Sequence, residues 1–415
     1  MEASLKLGNG DWGVKNDSLL AYDDFGGKFR PLPFDFTRAS SATVVNKQGL
    51  IETVQSGIPR IDFSDDANGA LKLEPQSTNL ITYSENFGNG GFWSKTNTTV
   101  ATSTIVSPDG LQGSYKLVPD NGIGGNRSIA HNYTSLTGIH THTCFAKKGE
   151  YNYLMLRTRN GPNTGVMFDL VNGTLSVNSA GASYVDSKIE EYTNGWYRCS
   201  ITLDPSLANT VGQLYISMSV GITGTETNSF NGDGTSGVYI YGAQFEQQSY
   251  ATSYIPTSGA TATRNQESCN NATPVINSLE GVLYAEISAL AEDQPVTTIS
   301  ISNQSLSNRV LIAVSGGELT GRFMGSTDNT QKTTSGVVIE NFNKIACSYT
   351  STTFKVFVNG LQIGTTSTIS TALVGLTELA FDRGDGVLDF VGKTKSVQVY
   401  TTALTDAELT TLTTI

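Results

Sequence analysis

The feature that most constrains this chain is a near absence of helical periodicity, set against many short runs that alternate apolar and polar residues. GVLYAEISAL (281–290), QLYISMSV (213–220) and GWYRCSITL (195–203) place apolar side chains at every second position. That is the period of a strand with one buried face. Gly, Asn, Ser and Thr punctuate the runs. In TFKVFVNGLQIGTT (353–366), Phe354, Val356 and Val358 line one face and Asn359-Gly360 supplies a tight hairpin turn. MFDLVNGTLSV (167–177) carries Asn172-Gly173 in the same way and predicts a second two-residue turn. One helix is signalled, in ALTDAELTTL (403–412), where Thr405 and Glu408 make a capping box and Leu404 and Leu409 a hydrophobic staple. The fold class that follows is all-β, with two consecutive antiparallel β-sandwich (jelly-roll) domains after a loop-rich N-terminal region.

A chain of 415 residues suits two or three domains. Residues 1–80 hold breakers such as LGNGDWG and DDFGGKFRPLPFDF and little periodicity. They are expected to form an attachment and oligomerisation region that lies on something else. Residues 81–262 and 263–415 are expected to form the two sandwiches. Between them runs GVYIYGAQFEQQSYATSYIPT (237–257). Its Tyr239–Phe245 face reads as one side of a strand, and Gln244 and Glu246 as a polar or interface-facing side. Pro256 fixes its own φ and holds Ile255 extended, so the exit reads as a stiff hinge.

Several function classes are disfavoured. Lys and Arg number 26 against 37 Asp and Glu, a net charge of −11 with no basic cluster, which speaks against a phosphate-backbone partner. No run approaches the ~20 apolar residues of a membrane-spanning helix. The opening residues show no signal-peptide pattern, so synthesis in a cytoplasm is expected. Cys144, Cys199, Cys269 and Cys347 are far apart in sequence and read as buried, reduced thiols. No nucleophile elbow, metalloprotease helix or phosphate loop occurs, so no catalytic residue is assigned and the chain is expected not to be an enzyme.

Two groups of motifs bring known families to mind. FTRASSATVVNKQGLIETVQSGIPRIDF (36–63), LKLEPQSTNLITYSENF (71–87), FWSK (92–95), SPDGLQGSYKLV (107–118) and GVYIYGAQFEQQSYATSYIPTSGATATR (237–264) resemble tailed-phage virion proteins with a head-spike-fibre domain, itself similar to jelly-roll carbohydrate-binding modules. FKVFVNGLQIG (354–364) and LAFDRGDGVLDFVGKTKSVQVYTTALTDAELTTL (379–412) resemble a concanavalin A-like, laminin-G-type sandwich. The resemblance implies a non-enzymatic virion fibre or decoration protein, made in the host cytoplasm. It also implies assembly as a homo-oligomer, most simply a trimer, with other virion proteins and host surface glycans as partners.

Candidate sites follow from residue chemistry. Glycans are held by aromatic platforms with nearby polar donors. Trp93, Tyr239 and Tyr241 are the leading aromatics, with Tyr151 and Tyr153 also available, while Trp196 reads as core. Asp382, Asp385 and Asp389 in DRGDGVLD (382–389) offer hard oxygen ligands in a glycine-rich turn, a candidate calcium site. NGDGTSG (231–237) is a weaker candidate of the same kind. Arg38, Arg60 and Glu74, opposite charges in low-charge segments, point to a fixed polar network or an attachment interface.

Overall fold

The computed structural model describes residues 2–24, 29–122, 124–134, 136–159, 164–207, 212–221 and 229–415. The chain divides into two compact units. Unit 1 comprises residues 1–47, 53–76 and 265–415, and unit 2 comprises 48–52 and 77–264. Both are antiparallel β-structures, as the alternation predicts.

Unit 1 is built on a large sheet and a five-stranded one. Along the large sheet run Ser268–Asn270, Phe29–Thr37, Ser18–Asp24, Leu5–Gly8, Gly392–Tyr400, Gly281–Ser288, Asn343–Tyr349, Thr353–Val358 and Leu361–Gln362. The second sheet runs Asn329–Thr334, Glu318–Met324, Arg309–Ser315, Thr297–Ser302 and Glu378–Ala380. Their inward rows meet in one core that includes Leu5, Leu7, Phe34, Phe36, Leu283, Ile299, Ile301, Ile312, Phe323, Val397 and Val399.

The expected separate region at residues 1–80 is corrected here. Leu5 pairs with Val399 and Leu7 with Val397, so the first strand lies beside the last. Its other edge pairs with Ser18–Asp24. The prolines that hid the strand Phe29–Thr37 from a periodicity search sit where the ladder tolerates them. Ser268–Asn270 pairs only with residues 35–37, so Pro31 and Pro33 lie along a stretch with one partner strand. A proline without an N–H fits only there.

Arg38, Arg60 and Glu74 are interior residues of unit 1 rather than an exposed interface. Arg38 donates to Glu267 at 2.7 Å, Arg60 Nε donates to the same carboxylate at 2.9 Å, and Arg60 pairs with Glu74 at 2.8 Å. The side chains of all four are at most 1% exposed. Burial disfavours the Arg60 charge, yet Glu267 and Glu74 more than offset it and hold the guanidinium protonated. The C-terminal helix Asp406–Thr413 has the expected capping box at Thr405 and Glu408. Leu404 and Leu409 pack on Val282, Tyr284, Phe357 and Tyr400, closing the outer side of the large sheet.

Unit 2 has two six-stranded sheets. The first runs Ser94–Thr96, Ser128–Tyr133, Gly212–Ser219, Tyr153–Arg159, Thr164–Asp169 and Thr174–Ser179. The second runs Thr98–Thr102, Tyr115–Pro119, Val238–Glu246, His140–Lys148, Trp196–Leu203 and Tyr184–Tyr192. The core between them includes Leu117, Ile129, Leu154, Leu156, Val166, Phe168, Ile201, Ile216, Ile240 and Phe245. All four cysteines are free and buried, as expected, and Cys144 lies opposite Cys199 on the neighbouring strand. Asn359-Gly360 forms the predicted turn, with φ of 50° and 84°. At Asn172-Gly173 the loop is four residues long instead, because Asp169 pairs with Thr174. The Asp169 carboxylate closes it by accepting the N–H groups of Val171 and Asn172.

Two outcomes test this architecture. Deleting residues 2–37 removes four strands of unit 1, so hydrogen exchange should show Gly281–Ser288 and Gly392–Tyr400 without protection. Retained protection would make the N-terminal strands peripheral. Glu267→Ala removes the carboxylate that two buried guanidinium groups share and should lower stability by about 3–5 kcal/mol in urea unfolding.

Candidate functional site

The aromatic candidates divide sharply. Trp93 is fully buried; its Nε1–H donates to the Tyr83 carbonyl at 3.1 Å and its ring packs on Phe87 and Phe92. Trp196 is also buried, as expected. Tyr241 is 3% exposed and sits in a second aromatic cluster with Phe145, Trp196, Tyr254 and Ile51. Its hydroxyl lies 3.1 Å from Glu85 and 3.0 Å from Asp109. Burial, then Tyr254 and the two carboxylates, hold the phenol protonated. Trp93 and Tyr241 are therefore packing residues and offer no platform. Tyr239 keeps partial exposure, with the Lys116 ammonium 5.7 Å from its ring centroid.

Gln244 and Glu246 are likewise not an exposed polar side. Both are fully buried and fasten the segment that follows the strand. The Ile255 N–H donates to Gln244 at 2.7 Å, and Thr252 donates its N–H to Glu246 at 3.0 Å. Ser77 donates to the same carboxylate at 2.5 Å. The expected hinge is thus a strap sewn to unit 2, with Tyr254 and Ile255 buried.

The Asp loop does not gather a ligand set. Asp385 accepts two hydrogen bonds from Arg383, at 3.0 and 2.7 Å, which closes the Arg-Gly-Asp tripeptide on itself. Asp382 accepts the Gly384 N–H, and Asp389 accepts from Gln266 at 2.7 Å. Asp233 of the second turn accepts from Thr235 and Ser236 of its own loop. Among the described residues no group of three His, Cys, Asp or Glu side chains is placed to hold a metal ion.

The arrangement best suited to a ligand lies on the outer face of the first sheet of unit 2. In YLMLRTR, Leu154 and Leu156 point into the core, so Tyr153, Met155 and Arg157 face outward. In GQLYISMS, Leu214, Ile216 and Met218 are core, and Gln213, Tyr215, Ser217 and Ser219 share the outer face. Register sets Arg157 opposite Tyr215, Met155 opposite Ser217, and Asn132 opposite Gln213. The Arg157 guanidinium carbon stands 4.6 Å from the Tyr215 ring centroid, a cation–π contact. The Tyr215 hydroxyl donates to Gln213, whose amide donates to Asn132 at 2.9 Å. Tyr215, Met155 and Ser217 form a buried floor, while Tyr153, Arg157 and Gln213 are half-buried and Asn132 is exposed.

Such a row of guanidinium, phenol and two amides on adjacent rigid strands is ordered before any ligand arrives. It can hydrogen-bond hydroxyl or carboxylate oxygens, and Tyr153 can cover an apolar ring face. The alternation of both strands was legible in the sequence. The register that stacks Arg157 on Tyr215 was not, which is why Tyr215 and Arg157 escaped selection.

Both units are antiparallel β-sandwiches. Residues 286–410, all within unit 1, match the model of the concanavalin A-like lectin/glucanases superfamily, so this segment carries a concanavalin A-like domain. A search of curated proteins finds no match. Among solved structures, the CBM40 of Ruminococcus gnavus IT-sialidase bound to alpha2,3 sialyllactose is 18% identical. It covers 33% of this chain and 84% of its own, with a TM-score of 0.29. Mouse laminin alpha1 chain, domains LG4-5, is 10% identical over 68% of this chain and 96% of its own, with a TM-score of 0.24. Trypanosoma rangeli sialidase is 12% identical over 97% and 83%, with a TM-score of 0.28.

The loop at Asp382 gives a pH test. Burial first, and then Glu378, Asp389 and Asp385, push its carboxyl up to about 6 against the opposing Gly384 N–H. The folded state therefore holds a proton that the unfolded chain releases near its ordinary value, and this contribution is lost as pH rises through about 6. Asp382→Asn keeps the acceptor and removes the charge. Its melting temperature should fall less between pH 4.5 and 7 than that of the native chain.

Proposed function

We propose that this protein is a non-enzymatic glycan-binding protein whose ligand lies on the outer sheet face of unit 2. The observation that carries the reading is the fixed row Arg157, Tyr215, Gln213 and Asn132, with Tyr153 beside it. The concanavalin A-like domain of unit 1 supports a lectin-type role for the chain as a whole. Arg157 favours sugars that present a carboxylate, since a charge-assisted hydrogen bond is roughly twice as strong as a neutral one.

In the setting we favour, the protein is a head or tail fibre or decoration component of a phage virion, with other virion proteins and host surface glycans as its partners. The spread of virion-protein motifs over residues 36–264 supports that setting. A homotrimer would gain avidity from repeated weak sites. Residues 1–37 belong to unit 1, so attachment to a particle falls to a folded surface and not to a detachable arm.

The purified full chain on a glycan array, followed by calorimetry on the retained sugars, tests the reading. Arg157→Gln should weaken binding about tenfold, ~1.4 kcal/mol, with only a small fall in the melting temperature from the lost Tyr215 stack. An array with no retained glycan, or binding indifferent to Arg157→Gln, would remove this face from consideration. Shortened oligosaccharides after incubation would move the assignment to a polysaccharide depolymerase. Electron microscopy of labelled virions checks the setting, and finding the protein on a bacterial surface would replace it.

A further inference from the structure

The three histidines of the chain all lie in unit 2, and two of them span the space between its sheets. His131 is on Ser128–Tyr133 of the first sheet, and His142 is on His140–Lys148 of the second. Their ring centroids are 6.2 Å apart. His131 is 4% exposed and His142 is fully buried. His131 Nδ1 is 3.3 Å from the Asn132 carbonyl, but among the described residues its Nε2 has no hydrogen-bond partner, and neither nitrogen of His142 has one.

What surrounds them is apolar. Phe92 stacks on His131 at 5.3 Å, Trp93 meets its edge at 5.4 Å, and Phe245 lies 6.2 and 6.3 Å from the two rings. Across the strands, His131 is opposite Leu214, and His142 is opposite Ile201 and Phe245. The titratable groups near the cluster are His140, Tyr133 and Cys144, none of them anionic at neutral pH. Asp204 acts on His140, whose Nδ1 already faces the Gly138 carbonyl at 3.0 Å. Among the described residues no carboxylate therefore stands ready to pair with an imidazolium at His131 or His142.

We propose that the His131–His142 pair makes unit 2 an acid-sensitive sandwich, in which proton uptake below neutral pH parts the two sheets. A charge on either ring would be buried without a counter-ion, and a charge on both would repel across the sheet gap. Opening gives the rings to water, where they take up protons freely. The first sheet also carries the Arg157–Tyr215 face, so parting the sheets loosens that face as well.

Burial pushes His131 down to about 4, and burial with the neighbouring His131 pushes His142 down to about 3. An exposed histidine titrates near 6.5. The open form therefore binds more protons than the closed form from about pH 6.5 downward, and acid favours opening. At pH 5 each histidine should raise the opening constant about 30-fold over its value at neutral pH, or about 10³-fold together.

Two measurements on the full chain decide it. In the folded protein, NMR titration should leave the His131 and His142 ring signals unshifted down to about pH 5, and a midpoint near 6.5 for either overturns the proposal. Hydrogen exchange, corrected for intrinsic rates, should show the 128–148 segment losing about 10³-fold protection from pH 7.5 to 5. Strands of unit 1, which hold no histidine, serve as the internal reference. In His131→Phe/His142→Phe that extra loss should shrink to what buried His140 alone supplies. An equal loss in native and variant chains overturns the proposal, and if the variant fails to fold the NMR result stands alone.

Discussion

Unit 1 depends on the pairing of its first strand with its last. Leu5–Gly8 occupies a place between Ser18–Asp24 and Gly392–Tyr400, so the sheet is complete only when residues almost 400 positions apart have met. Everything from Ser77 to Arg264 is spliced into that circuit. The insertion begins and ends in a paired element, for Ala262 lies opposite Asn79 and Arg264 opposite Ser77. Antiparallel pairing of the entering and leaving chain lets a whole sandwich be inserted without disturbing the order of its host. It also makes the fold rich in long-range contacts, and chains of that kind fold slowly because loop closure precedes the reward.

Each unit then fixes its irregular segments with buried polar groups. In unit 1, one carboxylate, Glu267, receives Arg38, Arg60 and the Glu74 backbone N–H. In unit 2, Glu246 receives Ser77 and both donors of Thr252, and Arg264 donates to the Thr252 hydroxyl. Buried ion pairs contribute little net stability over a well-packed apolar core. Their effect is selectivity, since a segment laid down in a different register would leave an unpaired charge in the interior. Arg38, Arg60, Glu74, Glu246, Arg264 and Glu267 are among the charged side chains that the fold buries.

Alternation is a local property, and it made the strands, the Asn359-Gly360 turn, the capped helix and the reduced thiols legible. Which face of a strand is free depends on partners far away in sequence. Tyr241 and Ile240 have opposite parity, yet both are buried because Ile51, Trp196 and Tyr254 roof the outer side of that sheet. Gln244 and Glu246 looked solvated for the same reason. The strand Phe29–Thr37 was hidden because Pro31 and Pro33 are penalised in a central strand, and only the pairing pattern reveals a stretch with one partner strand. Asp382, Asp385 and Asp389 have the spacing of a cation loop, but Arg383 and Gln266 reach two of the three carboxylates first.

The position of the proposed ligand face follows from how each outer surface is used. The large sheet of unit 1 is closed by the helix Asp406–Thr413 over Tyr284 and Tyr400. The outer row of Thr297–Ser302 is approached by the Asp loop so closely that a Cβ on Gly384 would come within 2.7 Å of Ser302. The second sheet of unit 2 lies under its aromatic roof. The first sheet of unit 2 carries outward a row of groups, Arg157, Tyr215, Gln213 and Asn132, whose members contact one another. Groups fixed by one another keep their geometry when a ligand arrives, so little ordering cost is left to binding. The histidines bear on the same point from below. The strand that holds His131 also holds Asn132, so the inner side of that strand sets the acidity at which its outer side keeps its shape.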